Sequence, residues 1–138
     1  METNINISGI LIILLVLIPF LIIFLHVILG AVFMGMQKKV KLTHSDSGLN
    51  KYGYFGYCWT YCIFGFFVPI FRGEIGIGLL HLVFSILTLN IFQLVMPFLY
   101  NKQYTSRMLT SGWQLSDEET VNALSRKKLK ISELQKKY

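Results

Sequence analysis

Charge is scarce in this chain. Of its 138 residues only 14% are Asp, Glu, Lys or Arg, while 54% are hydrophobic, and the mean hydropathy is +0.56. A soluble domain of this length has much surface per volume and needs a larger polar surface than that. Cysteine is nearly absent as well: Cys58 and Cys62 are the only two. They lie one helical turn apart, with no second pair and no ligand histidine nearby. They therefore supply half of a four-ligand zinc site and a poor disulfide geometry. Both read as small buried hydrophobes. Also missing are a Gly-rich phosphate loop, an H-E-x-x-H pair and a Ser/His/Asp constellation in a polar stretch. Gly76-Ile77-Gly78 opens an apolar helix and follows no soluble strand, so it is no dinucleotide fingerprint. The expectation is a non-enzymatic protein with no cofactor and no metal.

What is present is apolar sequence in long blocks. The first runs from Ile7 to Met36, and between Ile10 and Val32 only His26 can ionise. A hydrocarbon core of ~30 Å needs about 20 helical residues, and this block exceeds that. A cleaved signal peptide does not fit. Met1–Ser8 carries Glu2 and no Lys or Arg, the run is too long, and no A-x-A site follows. Pro19 inside the block is tolerated in a membrane helix. The second block, Tyr54 to Phe71, is 18 residues rich in aromatics and ends at Pro69-Ile70-Phe71-Arg72-Gly73-Glu74, a turn signature. It is just long enough to span, and a re-entrant or interfacial segment is the competing reading. The third block, Ile75 to Tyr100, has 26 residues with His81 as the only potential charge.

The basic residues set the expected orientation. Of 13 Lys and Arg, all but Arg72 fall in segments 37–56 and 101–138. Both segments flank apolar stretches, as the positive-inside rule would have them, so the net charge of +6 implies no nucleic-acid partner. Three transmembrane helices with the N-terminus outside put both segments in the cytoplasm and the 72–74 turn outside. The expected fold is thus an all-α integral membrane protein. Its transmembrane domain covers 1–104, with spans near 8–36, 54–71 and 75–100, the last two forming a hairpin. A cytoplasmic basic helical tail covers 105–138. In that tail Ser116-Asp117-Glu118-Glu119 reads as a capping box opening a helix to about Lys136. Arg126, Lys127, Lys128 and Lys130 form a cluster suited to anionic lipid. An ordinary solvated helix face is the alternative.

The aromatic segment resembles a family of small bacterial membrane proteins of HrgC type. The matching residues are Gly56-Tyr57-Cys58-Trp59-Thr60, then Phe64-Gly65-Phe66-Phe67-Val68-Pro69-Ile70-Phe71-Arg72-Gly73-Glu74. Tyr100-Asn101-Lys102-Gln103-Tyr104 and Gly112-Trp113 continue the similarity, which covers roughly 53–119. The long first span is an addition to the family's common short form. Ile75-Gly76-Ile77-Gly78 replaces its aromatic and basic residues after the acidic position. The resemblance implies a bacterial or phage-borne membrane hairpin with a cytoplasmic tail. It implies no activity and carries over no catalytic residue.

Ionisable residues inside a span default to functional candidates, and here they are His26 and His81. In the three-span arrangement they sit at different depths and do not meet. Gly78, His81, Ser85 and Thr88 recur at i, i+3, i+7 and i+10 on one helix face. That stripe reads either as packing within the chain or as a self-association seam or pore lining. Two functions follow. One is an oligomeric, pore-forming or membrane-perturbing protein. The other is a non-conducting adaptor, inhibitor or immunity protein that binds a partner through its hairpin or tail. The expected location is the bacterial inner membrane.

Overall fold

A computed structural model describes residues 7–131. The chain begins with one long helix, α1 (Ile7–Met34). A β-hairpin follows, made of β1 (Lys38–His44) and β2 (Asn50–Phe55). Two short helices, α2 (Trp59–Phe64) and α3 (Phe67–Phe71), lead through a turn to α4 (Ile75–Leu87) and α5 (Ile91–Thr110). Strand β3 (Trp113–Leu115) and helix α6 (Glu119–Leu129) complete the described fold.

The fold is mostly helical, but the three-span, all-α expectation does not survive. Among the described residues only α1 is long and apolar enough to cross a membrane. The basic loop after it is a strand. In Lys38-Lys39-Val40-Lys41-Leu42 the side chains alternate: Val40 and Leu42 are fully buried while Lys39 and Lys41 are exposed. β1 pairs antiparallel with β2, from Lys38↔Phe55 to Thr43↔Asn50, and on its other edge with β3, from Leu42↔Leu115 to His44↔Trp113. The sheet order is β2-β1-β3.

The second apolar block forms no helix long enough to span. Tyr54 and Phe55 belong to β2, and the rest divides into helices of 6 and 5 residues. The third block is itself a hairpin. Leu89 and Asn90 adopt left-handed backbone (φ 49° and 67°), which ends α4 and reverses the chain into α5. The lysine count could not reveal this. A single crossing leaves both basic segments on one side, as three crossings would.

The tail is no separate unit. The expected boundary at 104/105 falls inside α5, and β3 is a strand of the sheet. The capping box is not formed either. Ser116 donates its amide to the Lys41 carbonyl and accepts from the Thr43 hydroxyl, and Glu118 is the N-cap of α6. The strand pairing of residues 113–115 holds Ser116 beside β1, two residues before the Glu118 N-cap. The remainder of the expected helix, towards Lys136, lies outside the described residues.

Candidate functional site

The Pro69–Glu74 turn is built by local hydrogen bonding. Gly73 has a φ of 85°, the Gly73 amide donates to Ile70 O (3.0 Å), and the Glu74 amide donates to Pro69 O (2.9 Å). This is a Schellman closure of α3, and the left-handed conformation at its centre suits glycine. The turn throws Arg72 and Glu74 towards α5. There Tyr100, Tyr104 and Arg107 recur at i, i+4 and i+7, one face of a helix, with Asn101 beside them.

The Arg72 guanidinium lies 4.0 Å from the ring centroid of Tyr54 and 5.0 Å from those of Tyr100 and Tyr104. It donates to Asn101 Oδ1 (2.9 Å) and points a second nitrogen at Cys58 Sγ (3.7 Å). Three π faces around a planar cation stabilise it without a carboxylate. Asn101 is fixed in turn by donating to Gln37 Oε1 (3.2 Å) and Gly56 O (3.1 Å). Glu74 takes a bidentate pair from Arg107, at 2.8 Å from Nε and 2.7 Å from Nη2, and a third bond from the Tyr100 hydroxyl at 3.0 Å. The hydrogen-bonded carboxylate raises the Arg107 pKa above its ordinary value.

The turn residues Pro69, Arg72, Gly73 and Glu74 therefore dock beside Asn101 and Arg107. In the three-span arrangement these groups lie on opposite sides of a bilayer, so that placement of the turn is corrected. The segments Pro69–Glu74 and Tyr100–Tyr104 are brought together in one cluster. Tyr54, Asn101 and Arg107 were not singled out as its members from the sequence. The Tyr100/Tyr104/Arg107 spacing opposite an Arg-Gly-Glu turn was the available signal.

The stripe on α4 faces inward. Gly78, His81 and Ser85 are buried within the chain. A side chain at Gly78 would run into Ile70 and the Phe66 carbonyl. His81 Nδ1 is 2.9 Å from the Tyr61 hydroxyl, and its ring meets Phe92 and Tyr100 edge-on. Thr88 has left the helix face to cap α4, donating its hydroxyl to Phe84 O (2.7 Å). The seam is thus intramolecular.

His26 has different partners. Its Nε2 donates to Leu94 O (2.7 Å), because a carbonyl can only accept. In the neutral ring Nδ1 then accepts from the Tyr57 hydroxyl (2.6 Å). Around Pro97, where α5 loses a backbone donor, the carbonyls of Leu94 and Pro97 are used from outside the helix, by His26 and by the Cys58 amide. Gly30 lets α1 lie directly against the Tyr57 ring. His26 and His81 thus have different hydrogen-bond and ring partners, and among the described residues no three His, Cys, Asp or Glu groups are placed to hold a metal.

The basic cluster of α6 is divided. Arg126 pairs with Glu119, and Lys128 Nζ reaches Met34 O at the end of α1 (3.1 Å), while Lys127 and Lys130 are exposed. Lys130 also lines a shallow cleft of about 290 Å³ with Lys102, Ser106, Thr110, Leu109 and Leu129. Comparison with known proteins found no matching family model, no matching curated protein and no matching solved structure.

Proposed function

We propose that this protein is a non-conducting membrane adaptor or inhibitor. Helix α1 anchors it in the bacterial inner membrane with the N-terminus outside. The sheet, the second half of α5 and α6 then form a cytoplasmic cap that offers a surface to a protein partner. The observation that carries this reading is the burial of Gly78, His81 and Ser85 inside one chain. A pore assembled from several copies needs a polar face on each copy to line it, and the face that suited that role is consumed by contacts to Tyr61, Ile70 and Phe66. The pore-forming reading loses its main support with it.

The cap carries the means to sit close to anionic lipid. Lys38 and Lys39 follow α1 directly, and Lys128 reaches back to its last turn. Near a charged bilayer each such residue contributes about 1 kcal/mol, an attraction that weakens as salt rises. Arg126, Lys127, Lys128 and Lys130 belong to this face in the proposal, with Lys102 and Lys130 lining a cleft on it.

The test is ion flux in liposomes holding the full chain, read together with its mass in detergent. The adaptor reading expects no flux above empty liposomes at any protein density. Flux that grows steeply with density, together with a defined oligomer in detergent, would restore the pore.

A further inference from the structure

We propose that the α4–α5 hairpin is a wedge that enters one leaflet of the bilayer and returns without crossing it. The proposal rests on the anchored reading above and adds a second, half-depth membrane contact. Its occupant is lipid acyl chain.

Length is the first argument. Helix α4 has 13 residues, about 20 Å at ~1.5 Å per residue, and the α5 leg from Ile91 to Tyr100 is about 15 Å. Neither leg crosses a hydrocarbon core of ~30 Å, whereas the 28 residues of α1 give about 42 Å. Surface is the second. Leu79, Val83, Ile86, Leu87, Ile91 and Leu94 are all exposed, and Leu89 at the tip is 87% exposed. No Asp, Glu, Lys or Arg occurs from Ile75 to Tyr100. This surface is continuous with the exposed apolar side of α1, because His26 joins α1 to α5 at Leu94. A protein-docking patch is normally rimmed by polar residues, whereas around this tip the exposed side chains are apolar apart from Asn90.

The third argument is the turn's own hydrogen bonding. Thr88 Oγ1 donates to Phe84 O and accepts from the Phe92 amide (3.0 Å). The amides of Leu89, Asn90, Ile91 and Gln93 donate to the carbonyls of Ile86, Ser85, Thr88 and Asn90. The Gln93 side chain donates to Asn90 Oδ1 (3.4 Å). A turn in water can leave such donors to solvent. In hydrocarbon each must be satisfied internally, as these are. Charged groups begin where the legs meet the cap, at Arg72, Glu74 and Lys102, which sets the depth at which the wedge stops.

The experiment places single cysteines in the full chain reconstituted in liposomes, with the parent chain labelled in parallel as background. Leu89→Cys is largely exposed in the fold, so it tests environment rather than folding; Asn90→Cys is the second site. Both should resist a membrane-impermeant maleimide from either face and react once detergent is added. A fluorophore at Leu89→Cys should be quenched more by a spin label deep in the acyl chain than by one near the glycerol. Labelling from the outer face would mean that the hairpin crosses. Labelling from the cytoplasmic face would mean an aqueous patch that awaits a protein. Either result overturns the wedge. Ile7→Cys, reached only from outside, checks the anchor separately, and the flux assay reads the adaptor function without regard to the tip.

Discussion

The two halves of this molecule invert one another. In the arm, made of α1, α4 and the first half of α5, the outside is more apolar than the inside. Leu15, Phe20, Phe24, Val32, Leu87 and Leu89 are exposed, while His81 and Ser85 are buried. In the cap the usual order holds, with Val40, Leu42 and Leu129 inside and Lys39, Lys41 and Lys127 outside. Water drives the cap's arrangement, since each buried aliphatic side chain contributes about 1.5–3 kcal/mol there. With the arm in lipid, as proposed, it cannot drive the arm's. Between helices in lipid the cohesion comes from close packing and polar contacts, as Gly78 supplies against Ile70 and His81 against the Tyr61 hydroxyl. The difference teaches that the same apolar content forms a core in one half and an exposed surface in the other, the surface that the proposal assigns to lipid.

The largest expected effect breaks the junction between the halves. Gly30 lets α1 touch the Tyr57 ring, and a Cβ there collides with it. Gly30→Val should lower stability by about 1–3 kcal/mol, the usual cost of overpacking. The denaturation midpoint in detergent reads this. If α1 were an independent tether, the substitution would be silent.

A smaller effect is expected at the polar layer. Glu74→Gln removes the charge that Arg107 and Tyr100 share, and should cost about 1–2 kcal/mol because the pair is partly open to solvent. The same assay checks it, and Glu74→Asp should recover little because its shorter arm cannot hold both nitrogens.

The smallest effect belongs to the cap alone. Asp117 accepts the Lys41 and Glu118 amides, which lowers its pKa below the ordinary carboxylate value. Its contribution is therefore complete above about pH 4 and is lost as the pH falls through the lowered value. Asp117→Asn should lower the cap's stability slightly at neutral pH, by the small amount the parent chain loses in acid, and so flatten the acid limb of the stability curve. An unchanged acid limb would show that the carboxylate does nothing for the cap.

Legibility in the sequence followed length and spacing. Helix α1 was plain because its apolar run exceeds a bilayer's need. The Lys39/Val40/Lys41/Leu42 alternation is a strand signal, but the same lysines satisfy the positive-inside rule and read as a basic loop beside a span. The 75–100 block was read as one helix since neither Leu89 nor Asn90 announces a reversal. Left-handed Asn is common in turns, whereas left-handed leucine is not, and only the Thr88 cap makes the pair intelligible. The Arg72–Glu74 turn was found, but its partners lie about 30 residues away on α5. Nothing local says that a cation will rest among three tyrosines rather than face water.

The central claim is that the Arg72–Glu74 turn and the start of the cap at Lys102 lie on the same side of the membrane. Accessibility of Gly73→Cys and Lys102→Cys to an impermeant maleimide in oriented vesicles tests it directly. The account predicts that both react from the cytoplasmic face and neither from the outer face. Reaction of Gly73→Cys from the outer face, with Lys102→Cys reached only from the cytoplasm, would contradict it and reinstate three crossings.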